Sequence, residues 1–172
     1  MSIREDGGKR KKARCQAKVT QERVRIFLKL FGHEDDVLIL ICPDPDSMAS
    51  ALAVKRLLWK RVRKTSIAYI GKIQRLENQA MIDLLKIPMV EISKLDPLGF
   101  GHRVLVDSQP DHSEILMDFE YDAIMDHHPK TKKWDAPYVD IRPEYGATAT
   151  ILIEYLRNAG IKPSMKLGTA LL

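Results

Sequence analysis

The chain has little that would tie a protein together covalently or hold it in lipid. Only two of its 172 residues are cysteine, Cys15 and Cys42. Two thiols make no disulfide scaffold, and a reducing cytoplasm is the expected setting. No apolar run approaches the ~18 residues of a membrane span, and the first residues are charged rather than apolar, so neither a membrane nor a secretory signal is expected. There is no internal repeat, which excludes a solenoid. What is present is ordinary for a soluble globular domain: 45% hydrophobic and 30% charged residues. At 172 residues the chain is long enough for one domain with a sizeable core.

The net charge of +5 is unevenly placed. Arg4, Lys9, Arg10, Lys11, Lys12 and Arg14 stand against Glu5 and Asp6, so the rest is nearly balanced. Residues 1–19 read as a basic, disordered leader. The leader is either a solvated tail or a tether for single-stranded nucleic acid. Overall pI therefore says nothing about the folded part, residues 20–172.

Along that part, short apolar runs alternate with helical patterns. Residues 20–32 read as a helix capped by Thr20, with Val24, Phe27, Leu28 and Leu30 inward. Val37–Ile41 is an all-apolar run, as in a strand covered on both faces. A helix follows from Ser47 to about Arg61, then a strand over Ser66–Ile70, a helix over Leu76–Leu85 and short strands at Met89–Ile92, Val104–Val106 and Ala123–Met125. A helix over Gly146–Ala159 is ended by Gly160, and a last one starts near Ser164. Alternation of this kind predicts an α/β fold, three layers α/β/α around a mainly parallel sheet. The final helix runs into Leu171-Leu172 without a stop signal. The chain is therefore expected to be truncated at its C-terminal end, with exposed apolar surface that favours an oligomer.

Three acidic motifs each follow an apolar run: Asp44-Pro-Asp46, Asp107 and Asp126-His127-His128-Pro129. In a parallel sheet they share the rim at the strands' carboxyl ends. Carboxylates and imidazoles gathered there call for a divalent cation. Asp44 and Asp46, stiffened by Pro43 and Pro45, point the same way if extended, and otherwise form a turn in which Asp46 or Ser47 caps the helix. Adjacent histidines after a strand are expected to face opposite sides, one to a metal and one to a substrate. Gly146-Ala-Thr148 opens a helix whose free N–H groups suit an anion such as phosphate, or is a plain helix start. His33, His102 and His112 lack such context and read as surface residues. The basic cluster Lys55–Lys64 reads as a solvated helix face, and Lys130-Thr-Lys-Lys133 with Trp134 as a loop able to attract phosphate or stack on a base.

Taken in order, these motifs, with Cys42-Pro-Asp-Pro-Asp-Ser-Met-Ala-Ser50, Val106-Asp-Ser-Gln-Pro110 and Gly146-Ala-Thr148, resemble the DHH phosphoesterases. That family includes RecJ-type exonucleases, nano-RNases, cyclic-dinucleotide phosphodiesterases and family II pyrophosphatases. The resemblance implies a two-metal site for Mn²⁺ or Mg²⁺, with Asp44 and Asp46 on different ions, Asp107 bridging and His127 a ligand. His128 would contact the scissile phosphate and Asp126 would support His127. The implied reaction is in-line hydrolysis of phosphodiester or phosphoanhydride bonds in a nucleotide or short oligonucleotide.

Two positions differ from the family pattern. Leu40 stands where many members carry a histidine, and Cys42 where others carry an acid. Cys42 is thus a candidate ligand of a softer kind. The alternative is a nucleotide-binding domain with a degenerate metal site and no hydrolysis.

Overall fold

A computed structural model describes residues 18–172. Most of the basic leader lies outside the described residues, but residues 18 and 19 are already helical. The elements in order are α1 (18–29), β1 (Asp36–Ile41), α2 (Pro45–Leu58), β2 (Lys64–Tyr69), α3 (Leu76–Leu85), β3 (Met89–Glu91), β4 (His102–Val106), α4 (Glu114–Met117), β5 (Ala123–Asp126), β6 (Tyr138–Ile141), α5 (Thr148–Asn158) and α6 (Met165–Ala170). The strands form one parallel sheet ordered β3-β2-β1-β4-β5-β6. The α/β architecture expected from the alternation is the one observed.

β1 sits at the centre because its five apolar residues can be covered on both sides. Val37, Ile39 and Ile41 face one apolar cluster and Leu38 and Leu40 the other, all fully buried. The first cluster is thick. It takes Phe27 from α1, Val54, Leu57 and Leu58 from α2, and Ile151, Leu152 and Tyr155 from α5. The second is thin, covered by α4, by the short 3₁₀ turn at Ile92–Lys94, and by loop residues such as Leu95, Phe100, Phe119 and Trp134. So the two outer layers are unequal, and the crossover back from β3 to β4 is turn rather than regular helix.

Several local expectations are corrected. Asp44, not Asp46 or Ser47, caps α2: its carboxylate accepts the Ser47 N–H at 2.8 Å while the Ser47 hydroxyl receives the Asp44 N–H. Pro45 then occupies the first helical position, where a missing N–H costs nothing. The helix stops at Leu58, short of Arg61, and Lys60 turns the chain with a positive φ of 63°. Thr20 lies inside α1 and donates to Glu154 rather than capping. α5 begins at Thr148, with Gly146 and Ala147 outside it. His102 is half-buried between Asp35 and Asp122, not a surface residue.

Strand β6 was not legible because it carries Asp140 inward. That carboxylate is buried in an ionic network that ties β6 to α5 and α1. Arg142 binds it through both Nε and Nη2, Arg23 reaches it from α1, and Tyr155 donates to it at 2.5 Å. Arg142 also holds Glu154, which accepts from the Tyr145 hydroxyl. Removing one partner from such a network leaves a buried charge short of its counter-ion. Arg142→Leu is therefore expected to lower unfolding free energy by about 3 kcal/mol in urea denaturation. A loss under about 1 kcal/mol would mean that Arg23 alone suffices.

Candidate metal centre

The chain leaves β1 towards β2 on one side and leaves β4 towards β5 on the other. Such a reversal opens a crevice beyond the carboxyl ends of the two strands. Asp44 and Asp46 follow β1, Asp107 follows β4, and Asp126 ends β5.

Asp107 lies deep in the crevice. It is 5% exposed, its N–H donates to the Met125 carbonyl at 2.8 Å, and its backbone has φ 58°. A left-handed conformation is unfavourable for an aspartate and persists only where the surroundings impose it. Here it aims the carboxylate into the crevice, where Oδ1 accepts the Thr148 hydroxyl at 2.8 Å. Asp46 stands opposite. Its two oxygens accept the Thr148 and Ala149 N–H groups at 2.8 and 2.7 Å, so an acid in the first turn of α2 caps α5. The anion-binding end of α5 thus holds a carboxylate of this same chain.

His127 closes the third side. Its Nε2 lies 3.6 Å from Asp107 Oδ1 and 3.7 Å from Asp46 Oδ2, while Nδ1 donates to the Tyr145 carbonyl at 3.2 Å. A carbonyl only accepts, so the proton of this bond sits on Nδ1 and Nε2 is the atom turned to the two carboxylates. The histidines do not face opposite sides: their ring centroids are 4.5 Å apart, and both belong to the crevice. Asp126 serves His128 rather than His127, at 2.8 Å from its Nδ1.

Sequence reasoning missed Gln109, which is fully buried. Its amide nitrogen donates to Asp126 and to the Pro129 carbonyl, and its oxygen accepts from the Thr131 N–H, the Thr131 hydroxyl and Trp134 Nε1. One amide thus fixes the loop after the His pair. A glutamine between a strand-terminal aspartate and a proline carries no signal of that role. Trp134 and Thr131 are spent on this clamp, which leaves Lys130, Lys132 and Lys133 exposed.

The donors suit a divalent ion. Asp107, His127 and His128 each offer an atom lying within 4.8 Å of the others. Ligands about 2.1 Å from one ion stand roughly 3 to 4 Å apart, and Nε2 of His127 stands 3.6 and 3.7 Å from the Asp107 and Asp46 oxygens. Electrostatics agree. Burial, then the negative charges of Asp46 and Asp44, push the Asp107 carboxyl up to about 9 against the opposing Thr148 hydrogen bond. Among the described residues no lysine or arginine forms a salt bridge with these three acids. Carboxylate oxygens beside an imidazole nitrogen suit a hard or borderline divalent ion rather than a soft one.

The two departures look different in place. Leu40 is fully buried in the thin apolar cluster and offers nothing to the crevice. Cys42 lies at the crevice, but burial pushes its thiol up, with Asp44 and Asp107 adding to the shift and Ser108 opposing it. It stays a neutral thiol near pH 7, a poor ligand for a hard cation.

Residues 37–172 match the family model for the N-terminal domain of the DHH family. The chain belongs to the DHH family. It is also 37% identical over 161 residues to an uncharacterized protein of Methanocaldococcus jannaschii, covering 93% of this chain and 32% of that protein. The chain therefore spans about a third of the length of the relative it matches. CDC45 from Entamoeba histolytica aligns over 90% of this chain and 30% of its own, with 12% identity and a TM-score of 0.48. DHH domains are generally metal-dependent phosphoesterases, and the motif that names them is Asp126-His127-His128 here. No helix among the described residues is long and apolar enough to cross a membrane.

The raised Asp107 carboxyl makes a pH prediction. The native DHH domain without metal holds that proton up to about 9, whereas the unfolded chain releases it near pH 4. Between those values the native state binds more protons than the unfolded state, so stability falls as pH rises. In excess chelator the thermal midpoint should decline from pH 5 to pH 9, and Asp107→Asn should flatten that decline. A midpoint as steep in Asp107→Asn as in the parent would assign the slope to another group.

Proposed function

We propose that this DHH domain hydrolyses phosphodiester or phosphoanhydride bonds of nucleotides or short oligonucleotides with a divalent ion, Mn²⁺ or Mg²⁺. The observation that supports it is the convergence of Asp46, Asp107 and His127 Nε2 on one space at the switch point of the sheet. Asp44, Asp46, Asp107 and His127 would hold the cations, which when bound supply positive charge for the phosphoryl oxygens. The chain's own groups do the rest. The Tyr145 carbonyl takes the His127 Nδ1 hydrogen bond and so turns Nε2 towards the acids. Asp126, itself fixed by Gln109, orients the His128 ring at the mouth of the crevice, where 43% of that side chain is exposed and reachable by a phosphoryl oxygen. Gln109, bonded to both Asp126 and Trp134, ties the fully buried Asp126 to the loop that follows the His pair.

A second reading, a nucleotide-binding domain that does not hydrolyse, draws on one specific observation: the two positions of the first metal site hold a core leucine and a neutral thiol. Calorimetric titration with Mn²⁺, together with hydrolysis of a generic phosphodiester by the longer protein that carries this domain, separates the two. The hydrolase reading expects Mn²⁺ binding that Asp107→Asn removes, and a loss of at least about 100-fold in hydrolysis, beyond the range typical of supporting residues. Nucleotide binding without any Mn²⁺-dependent turnover would favour the second reading. Full activity in Asp107→Asn would reject the proposed site.

A further inference from the structure

α2 starts at the acid rim and runs about 20 Å, 14 residues at 1.5 Å each, to the opposite rim of the sheet. There, at the amino ends of the strands, lies a cleft of about 680 Å³ between the end of α2, the start of β2 and the α5–α6 connection. Lys55, Arg56, Lys162 and Lys166 line it, and no acidic residue does. The basic cluster that reads as a solvated helix face is thus, at its first two positions, the wall of a cavity.

Three of these cations are held in place. Lys55 Nζ donates to the Thr65 carbonyl at 2.7 Å, Arg56 to the Lys162 carbonyl at 3.3 Å, and Lys166 Nζ to the Lys86 carbonyl at 2.6 Å. Carbonyl anchoring fixes the heads yet leaves their charge uncompensated, because none of the three pairs with a carboxylate among the described residues. Burial and neighbouring Lys64 both pull the Lys55 ammonium down, so an anion entering the cleft would relieve a cost already present. The floor is apolar, formed by Leu52, Pro88 and Leu167, and Trp59 stands at the edge 61% exposed with the Arg56 guanidinium 4.5 Å from its ring.

We propose that this cleft is a second ligand site, distinct from the metal centre, for a nucleoside phosphate: phosphates on the fixed cations, the base against the apolar floor and the Trp59 indole. Fixed cations without counter-ions select a polyanion. An apolar floor beside them selects one that carries a flat ring. The volume suits a single nucleotide rather than a strand. The inference does not rest on hydrolysis at the other rim.

The test is calorimetric titration of the chain with ADP in excess chelator, which keeps divalent ions off the acid rim. One ADP per chain is expected, weakening as salt rises. The double variant Arg56→Gln with Lys166→Gln should lose affinity by about tenfold or more. The exposed Lys162→Gln, which removes no anchored contact, should show a smaller loss in the same direction. Asp107→Asn should bind ADP as the parent does. Pyrophosphate should bind about tenfold more weakly than ADP, because it lacks the ring. Absence of heat up to about 1 mM ADP would overturn the proposal, as would unchanged affinity in both glutamine variants. Loss of binding in Asp107→Asn would place the nucleotide at the metal centre instead, sinking this cleft while leaving the hydrolase reading standing. Equal affinity for pyrophosphate would overturn the nucleotide assignment, and tighter binding of a hexaglutamate peptide would turn the cleft into a protein-docking site.

Discussion

The structure depends on one electrostatic constraint: two carboxylates from distant parts of the chain, the half-buried Asp46 and the buried Asp107, are forced to share one crevice. Like charges that close cannot both be ionised at neutral pH without help. The protein supplies three kinds of help that are not charges. The head of α5 gives Asp46 two N–H donors, the Thr148 hydroxyl bonds Asp107, and burial holds a proton on Asp107. Each is a substitute for a cation, and each is weaker than one. The left-handed backbone at Asp107 shows that the arrangement is imposed by the fold rather than by local preference.

What imposes it is the buried network around Asp140 and Arg142. That network fixes β6, the 142–147 segment and α5 relative to one another. The same segment provides the Tyr145 carbonyl for His127 and the first turn of α5 for Asp46. The metal centre therefore has two supports of different character. On one side is an apolar sheet interior that fixes β1 and β4 in register, and on the other an ionic clamp that fixes what crosses above them. An ionic clamp contributes little net stability compared with apolar packing. Its use here lies in geometry, because guanidinium–carboxylate forks hold direction as well as distance.

The sheet was legible because β1, β4 and β5 are apolar runs that a two-sided parallel sheet can bury, and because an acid stands at or within three residues of the end of each. The DHH motif and the order of the acids gave the family. Other features left no trace in the pattern. β6 alternates over only four residues and turns an aspartate inward, so its burial depends on Arg142 and Tyr155 from elsewhere. The cap of α2 fell on Asp44 because Pro45 cannot precede the helix as an interior residue but fits its first position. The pairing of Asp126 with His128 depends on the bend at His128, which residue types do not show. Gln109 is the plainest case: five hydrogen bonds from four residues of the 126–134 stretch converge on a residue whose type says nothing about them.

The charge polarity of α2 joins the two rims. Asp46 lies in its first turn and Lys55 and Arg56 in its last, the arrangement that the helix macrodipole favours at about 0.3–1 kcal/mol per charge. That preference explains a negative end and a positive end on one helix, and nothing more. It does not explain why Lys162 and Lys166, from the α5–α6 connection and α6, are brought to the same positive end, where four like charges repel. Nor does it explain why three of the four heads are pinned to carbonyls instead of turning out to water, where repulsion between them would be least. Repulsion maintained against an available escape is the same physical sign that marks the acid rim. At one end of α2 it calls for a cation, and at the other for an anion.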